Sequence, residues 1–292
     1  ISGVGWITYR YLLADEPARV SPAADMESAG RDAQDMNRFD VDRVYVTADY
    51  KMDERFSWQT VIEGRNLGGT ASSRNLILKR ALVRVAEPFG LENTWVHMGI
   101  IPHVMTPVHE RVWGMRIVSE VPIDRYLGVS TTWLGLGFGG TAGGMLDYEF
   151  ALTNERPYNS DNVSKYKNLM ARAVLSPFTG DETLKGLKLG LWAQGNSNLP
   201  EQPDTSGAIP NLRPAPSAGD NLNLWYGAFP HFVGDRYVIG LSFDQKSDDY
   251  PVIVDGQLDT DTRTAQVISA FVEVDPTAKL RLFGRIDRSD PN

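Results

Sequence analysis

The stretch 222–246, LNLWYGAFPHFVGDRYVIGLSFDQK, holds two segments that alternate between apolar and polar residues. Segments 222–232 and 236–246 each have the period of two that is typical of a β-strand with two different faces. Only a short glycine-containing link separates them, whereas the links on either side, 195–221 and 246–262, are long. The stretch therefore predicts an antiparallel hairpin with a tight turn at one end and long loops at the other.

The same rhythm runs along the whole chain. Most of its strand-like segments have about ten residues, the length that a tilted strand needs to cross the hydrocarbon layer of a membrane. The predicted strands are 3–13, 40–50, 55–65, 75–86, 94–101, 126–137, 143–153, 163–176, 183–194, 222–232, 236–246, 263–274 and 279–288. The long links are 14–37, 66–74, 102–125, 154–162, 195–221 and 246–262, and the short ones are 52–54, 87–93, 138–141, 178–181, 234–235 and 275–278. Such polarity is typical of an outer-membrane β-barrel, and a soluble sandwich gives no reason for it.

The size of the predicted sheet decides which face points inward. A closed barrel of so many strands leaves a wide lumen, and an apolar lining would leave that lumen empty. We therefore expect the polar faces to line a wet lumen and the apolar faces to meet outer-membrane lipid. The prediction is an all-β fold, a transmembrane antiparallel up-and-down β-barrel forming one domain over 1–292, with short periplasmic turns and long extracellular loops. A soluble sandwich or propeller is the alternative, although a propeller would show sequence repeats and none is evident.

Composition excludes several classes of protein. No run approaches the roughly 18 apolar residues that a membrane helix needs, and the mean hydropathy is −0.28. A net charge of −8 argues against a general nucleic-acid binder. The absence of cysteine removes disulfides and thiolate sites. The sequence shows no nucleophile elbow and no paired acid and base, so we expect no enzyme activity and no cofactor. An outer-membrane hydrolase whose triad assembles from separate strands is a minor alternative.

The segment 75–159 has an order of elements that is found in a known family. A strand ends at Gly99-Ile100-Ile101-Pro102, a charged loop follows, and Leu127-Gly128-Val129 opens the next strand. This order, together with the ending FGRIDRSDPN at 283–292, resembles the phosphate-selective porins (porin O/P-like) of Gram-negative outer membranes. The resemblance implies a porin of about fourteen to sixteen strands, often a homotrimer, with a long loop in the pore. Because such barrels have an even strand number, we expect the sequence to lack its last strand or strands.

The predicted polar faces carry many charges. With Asp49, Glu63, Asp244 and Asp287 included, basic residues lead acidic ones by nine to seven, which favours a weak preference for anions. The alternative is a solvated lumen with cross-strand ion pairs and no selectivity. The predicted pore-lining residues are Arg43, Arg65, Arg80, Arg84, Asp147, Glu149, Arg172, Lys188, Glu273, Lys279, Arg281 and Arg285.

The link 102–125 is the candidate constriction loop. If it folds inward, charges of both signs cross the narrowest part of the pore; the alternative is an outward, solvated lid. Its histidines are interpreted as free loop residues, because no HExxH or other compact metal-binding pattern is present. The predicted constriction residues are His103, His109, Glu110, Arg111, Arg116 and Arg125.

The glycines Gly135, Gly137 and Gly140 match a dinucleotide-binding string, but a strand follows them rather than a helix. We therefore interpret them as a tight turn. The leading functional hypothesis is an outer-membrane porin for passive diffusion of small hydrophilic solutes and ions. Two alternatives remain: a plugged outer-membrane barrel that acts as a structural or partner-binding scaffold, and a soluble carbohydrate-binding β-protein.

Overall fold

The computed structural model describes residues 1–11, 37–66, 74–116, 118–158, 166–197, 222–254 and 257–290, and these residues form thirteen β-strands. The strands are β1 (Ser2–Tyr11), β2 (Asn37–Lys51), β3 (Phe56–Asn66), β4 (Arg74–Ala86), β5 (Thr94–Pro102), β6 (Thr132–Ala142), β7 (Leu146–Asn154), β8 (Lys167–Leu175), β9 (Leu187–Ser197), β10 (Leu222–Val233), β11 (Tyr237–Val254), β12 (Gln257–Thr277) and β13 (Leu280–Asp290).

The chain divides into two compact units, Ile1–Val83 and Arg84–Asn292, with the boundary inside β4. In both units the hydrogen-bonded order of the strands is the order of the sequence. Neighbouring strands run antiparallel, as in the pairing of Leu241 with Ala270 and of Ala270 with Ile286. The fold is therefore an all-β, up-and-down antiparallel meander, as the sequence predicts.

Short helical segments lie in the links. A 3-10 turn (Pro88–Gly90) joins β4 to β5, and two helices, α1 (Thr106–Val112) and α2 (Pro122–Arg125), lie in the link between β5 and β6. Within the described ranges, no helix is long and apolar enough to cross a membrane.

The two faces of the strands differ in exposure in the direction that the sequence predicts. On the apolar face, Leu241 and Ile268 are each 48% exposed. Their neighbours on the polar face, Ser242 and Ser269, are 2% and 1% exposed. A sandwich would bury Leu241 and Ile268 in a dry core, whereas here their face is the accessible one. An apolar surface repeated on strand after strand is costly in water, so this face requires hydrocarbon around it.

Three predicted boundaries are wrong. The link 246–262 is mostly strand, because β11 and β12 pair as far as Val254 and Gln257. The strand expected from 126 begins at Thr132, because Gly128 takes a φ of +64° and the N–H of Val129 donates to the carbonyl oxygen of Ile123. The short link expected at 178–181 spans 176–186.

The glycines near 135–140 lie in β6 rather than in a turn. A Cβ at Gly137 would lie 2.0 Å from Nε2 of His97, and one at Gly139 would lie 2.4 Å from the indole of Trp95. These glycines make room for two large side chains of β5, so the turn interpretation is wrong for them.

Candidate pore loop and the charges around it

The loop 103–131 packs against the polar face of the second unit. Its buried side chains contact side chains of β8, β9, β10 and β12 in one cluster that excludes water. The members of the cluster are Met105, Val108, Val112, Trp113, Val121, Ile123, Leu127, Val129, Val174, Trp192, Phe229, Val267 and Phe271. Fully burying one large apolar side chain stabilises a structure by about 1.5–3 kcal/mol, so a loop with this many is firmly held.

His103 lies three residues before the start of α1. Its Nδ1 accepts hydrogen bonds from the backbone N–H groups of Met105 and Thr106, at 3.3 and 3.4 Å. These N–H groups have no partner inside the helix, so the imidazole serves as an N-terminal cap. Because Nδ1 is the acceptor, the neutral ring carries its proton on Nε2. That atom is buried without a hydrogen-bond partner.

His109 lies in a column of stacked rings. Its ring lies 4.1 Å from that of Phe229, which in turn lies 4.7 Å from that of His231. Burial lowers the pKa of His103 to about 3, and burial with the neighbouring histidines lowers the pKa of His109 to about 3. The interpretation of both residues as free loop histidines is therefore wrong, because they are packed and neutral.

The part of the loop that follows α1 is held by polar contacts with β12 and β13. Arg285 donates to the carbonyl oxygen of Glu120 at 2.8 Å and to Oγ of Ser119 at 2.9 Å. Its guanidinium also pairs with Asp287 at 2.8 Å. A second anchor is Glu273, whose carboxylate accepts from the N–H of Gly114 at 2.9 Å. Arg285 and Glu273 are both predicted to line the pore, and in the structure both bind the loop.

The loop also carries a cluster of charged side chains. Arg116 pairs with Glu110 and lies 3.5 Å from Asp124. Arg111 is exposed. Arg125 is also exposed, and it donates to Oγ of Ser119 at 2.9 Å. The loop therefore combines a neutralised cluster with two accessible arginines.

A mixed cluster occupies the polar face around β5, β7 and β8. Arg172 bridges the carboxylates of Asp147 and Glu149, at 2.8 and 3.1 Å. Nε2 of His97 lies 3.4 Å from Glu149. Arg84 is exposed, and its guanidinium stacks 4.6 Å above the ring of Trp95.

The first unit has its own charged cluster. Glu63 is fully buried, 3.3 Å from Nζ of Lys79 and 3.6 Å from Arg43. Arg80 donates to Oε1 of Gln59 at 2.8 Å. The sequence did not single out Lys79, because it has the parity of Ala81 and Val83. The predicted pore residue Arg65 has its side chain outside the described part of the structure.

The remaining predicted pore residues, Lys188, Arg281 and Lys279, lie in three different surroundings. Lys188 is half-buried beside His231 on the next strand. Arg281 pairs with Asp275 at 2.6 Å and with Glu273 at 3.4 Å. Lys279 lies in the turn between β12 and β13, so its placement on a strand face is wrong.

Sequence reasoning missed the wall residues that receive the loop. Trp192, Phe229 and Phe271 sit on the polar parity of their strands and are at most 6% exposed. The available signal was a large apolar side chain among polar neighbours, as with Phe271 between Ser269 and Glu273. Such a residue needs a partner on the lumen side, and the loop supplies it.

Comparisons with known proteins bear on the fold. No protein-family model and no curated protein matches the chain. Among solved structures, Salmonella typhi OmpF in a complex with daunomycin matches with a TM-score of 0.58 and 9% identity, over 89% of this chain and 74% of that one. Outer-membrane expressed OmpT of Vibrio cholerae matches with a TM-score of 0.52 and 10% identity, over 87% and 71% of the two chains.

The chain has the fold of the outer-membrane β-barrels. Its exposed apolar face is the surface that such a barrel presents to lipid, which places the protein in the outer membrane. The similarity extends to the fold alone, so it does not distinguish phosphate-selective porins from other barrels.

Proposed function

We propose that the chain is an outer-membrane porin through which small hydrophilic solutes and ions diffuse passively, and that loop 103–131 narrows the path. The observation that carries the proposal is the docking of this loop on the polar face, with Arg111 and Arg125 left exposed. In a barrel that face borders the lumen, so Arg111 and Arg125 lie along the route of a solute. No reaction and no cofactor form part of the proposal.

The direction of ion selectivity follows from which charges remain accessible. Arg172, Arg281 and Arg285 have carboxylate partners that cancel most of their field. Arg84 and Arg111 are exposed. On these grounds we propose a weak preference for anions. We also propose that the protein is a phosphate-selective porin and that it forms a homotrimer.

Reconstitution into planar bilayers tests the function. The purified protein should produce stepwise conductance increases, whereas detergent without protein should produce none. A shift in gel mobility on heating shows that the barrel is folded. Folded protein that gives no conductance would overturn the channel proposal and favour the plugged scaffold. The scaffold remains the second candidate because the loop contributes an apolar core to the lumen side.

Selectivity needs a separate measurement. In a salt gradient, the double variant Arg111→Gln, Arg125→Gln should shift the zero-current potential away from anion preference. The control is Lys185→Gln, which removes a positive charge from the exposed link between β8 and β9. Equal potentials for the double variant and the wild type would remove these arginines from the selectivity proposal.

A further inference from the structure

The interface between loop 103–131 and the wall, meaning the polar faces of β8, β9, β10 and β12, contains two buried imidazoles. We call His103 and His109 the imidazole seam. We propose that His103 and His109 make docking of α1 dependent on their neutral state, so that acid releases this part of the loop from the strands while Arg285 still holds Ser119 and Glu120. The proposed channel function enters only in the consequence that the pore would change its conductance in acid.

The geometry at His103 opposes a second ring proton. Its Nδ1 accepts from two backbone N–H groups, so a proton on this atom would face both donors and would keep only the Thr106 hydroxyl, 3.3 Å away, as an acceptor. The ring also lies edge-on to Trp192, with centroids 5.2 Å apart, and Gln194 faces it from β9. None of these contacts supplies a negative charge to a protonated ring.

His109 has equally little to compensate a positive charge. Phe229 covers one face of its ring, and His231 lies beyond Phe229. The charged group that faces His231 is Lys188, which has the same sign as a protonated imidazole. Protonation of His109 would therefore place a cation among an aromatic ring, two histidines and a lysine.

The neighbouring strand β11 carries a buried carboxylate, Asp244, whose Oδ2 has no hydrogen-bond partner. Asp244 accepts a 2.8 Å hydrogen bond from the indole N–H of Trp192. Among the described residues, no ion pair joins His103 or His109 to a carboxylate, whereas His97 lies 3.4 Å from Glu149. His97 is thus a buried histidine in the same unit that has the counter-charge that the seam lacks.

Acid shifts the docking equilibrium because an undocked imidazole titrates near its ordinary pKa. Burial holds the pKa of both rings well below that value, so the docked state is favoured above about pH 6.5 and loses its advantage as the pH falls. Between about pH 7.5 and about pH 5, one such histidine changes the equilibrium about 30-fold.

Cysteine labelling measures this release directly, because the natural chain has no cysteine. In Val108→Cys, the thiol replaces a 7% exposed side chain of α1 that lies in the docked cluster. Its reaction rate with a methanethiosulfonate reagent is divided by that of Thr179→Cys, an exposed turn position. Ala151→Cys, buried on β7 outside the cluster, reports any general loosening of the wall.

We expect the normalised rate at Val108→Cys to rise at least tenfold between about pH 7.5 and about pH 5, with Ala151→Cys unchanged. His109→Phe in the Val108→Cys background keeps the stacked ring and should reduce the rise, while His97→Gln should not. The proposal is overturned if the normalised labelling rate at Val108→Cys does not rise in acid, or if the rate at Ala151→Cys rises by the same factor. If His109→Phe lacks heat-modifiable mobility, His103→Gln takes its place, and a rise that survives a folded His103 or His109 variant unchanged also overturns it.

Labelling does not require conduction. A protein that conducts but shows no acid-dependent labelling loses this inference and keeps the channel. A protein that shows the labelling response but never conducts loses the channel and keeps the switch.

Discussion

The guanidinium of Arg285 on β13 donates a 2.8 Å hydrogen bond to the carbonyl oxygen of Glu120, 165 positions earlier in the chain. The same guanidinium pairs with Asp287 and lies 5.0 Å from the ring of Trp113. One residue near the end of the sequence thus fixes the part that follows α1 in the loop after β5. A charge that sequence alone assigns to the pore lining is here a structural tether.

Replacement of Arg285 by alanine should free this part of the loop. Hydrogen bonds to charged groups contribute about 1.5–3 kcal/mol each, and Arg285 makes two to the loop. We expect a broader distribution of single-channel conductance with a higher mean, measured in planar bilayers. The matched control is Arg288→Ala, since Arg288 is exposed on the opposite face of the same strand. A conductance histogram identical to that of the wild type would show that Arg285 does not restrain the loop.

Substitution of Gly137 by alanine should destabilise the barrel. The added Cβ would lie 2.0 Å from Nε2 of His97, and such overpacking costs about 1–3 kcal/mol. Urea unfolding in detergent micelles measures the loss. Gly195→Ala is the control, because its nearest neighbouring atom would lie 3.7 Å away.

A double variant tests the cause of that loss. Gly137→Ala combined with His97→Ala removes the clash, so it should be more stable than the sum of the two single effects predicts. If the loss of stability in the double variant equals the sum of the two single losses, the methyl group that Gly137→Ala adds does not clash with the imidazole of His97.

A charge on the exposed apolar face should oppose folding into a bilayer. Lysine in place of Leu241 would meet hydrocarbon, at a cost of about 2–4 kcal/mol near the bilayer midplane. Gln245→Lys, on the same face nearer the long-loop end, should cost only about 0–1 kcal/mol. Folding into lipid vesicles, followed by tryptophan fluorescence in urea, gives both values. Equal effects of the two variants would argue against hydrocarbon around Leu241.

Neutralisation of Glu63 should strongly destabilise the first unit. Glu63 is fully buried with Lys79 as its partner at 3.3 Å, so Glu63→Gln leaves an ammonium without a counter-charge, at a cost of about 3–5 kcal/mol. The control Glu54→Gln lies in the exposed turn between β2 and β3. Addition of Lys79→Met to Glu63→Gln should recover most of the loss. Failure of this double variant to recover stability would show that the ion pair is not the reason for the destabilisation.

The strands and their faces could be predicted because both are local properties. Period-two alternation places Leu189 and Leu191 on one side of β9 and Trp192 on the other, whatever the rest of the chain does. Boundaries were less predictable where a non-local contact or a left-handed residue decides them. Gly128 delays β6, and partner strands extend β11 and β12 through a segment whose polarity suggested a loop.

The candidate site could be predicted only as a set of residue types. Inward charges and a charged loop between β5 and β6 were legible, but the pairing among them was not. Glu149 meets Arg172 across a strand pair, and Gly114 meets Glu273 over 159 positions of sequence. Alternation gives the side of the sheet on which a charge lies, and it carries no information on which opposite charge will cancel it.

The sequence by itself determined the all-β class, the exposed apolar face and the location of the charged loop after β5, because side-chain parity and link length are fixed within a few residues of each position. Only the tertiary structure decided that His103 and His109 are buried and that Arg285 and Glu273 tether the loop. Those roles depend on strands far along the chain reaching the same few ångströms of space, where burial and hydrogen bonding set the charge and the role of each group.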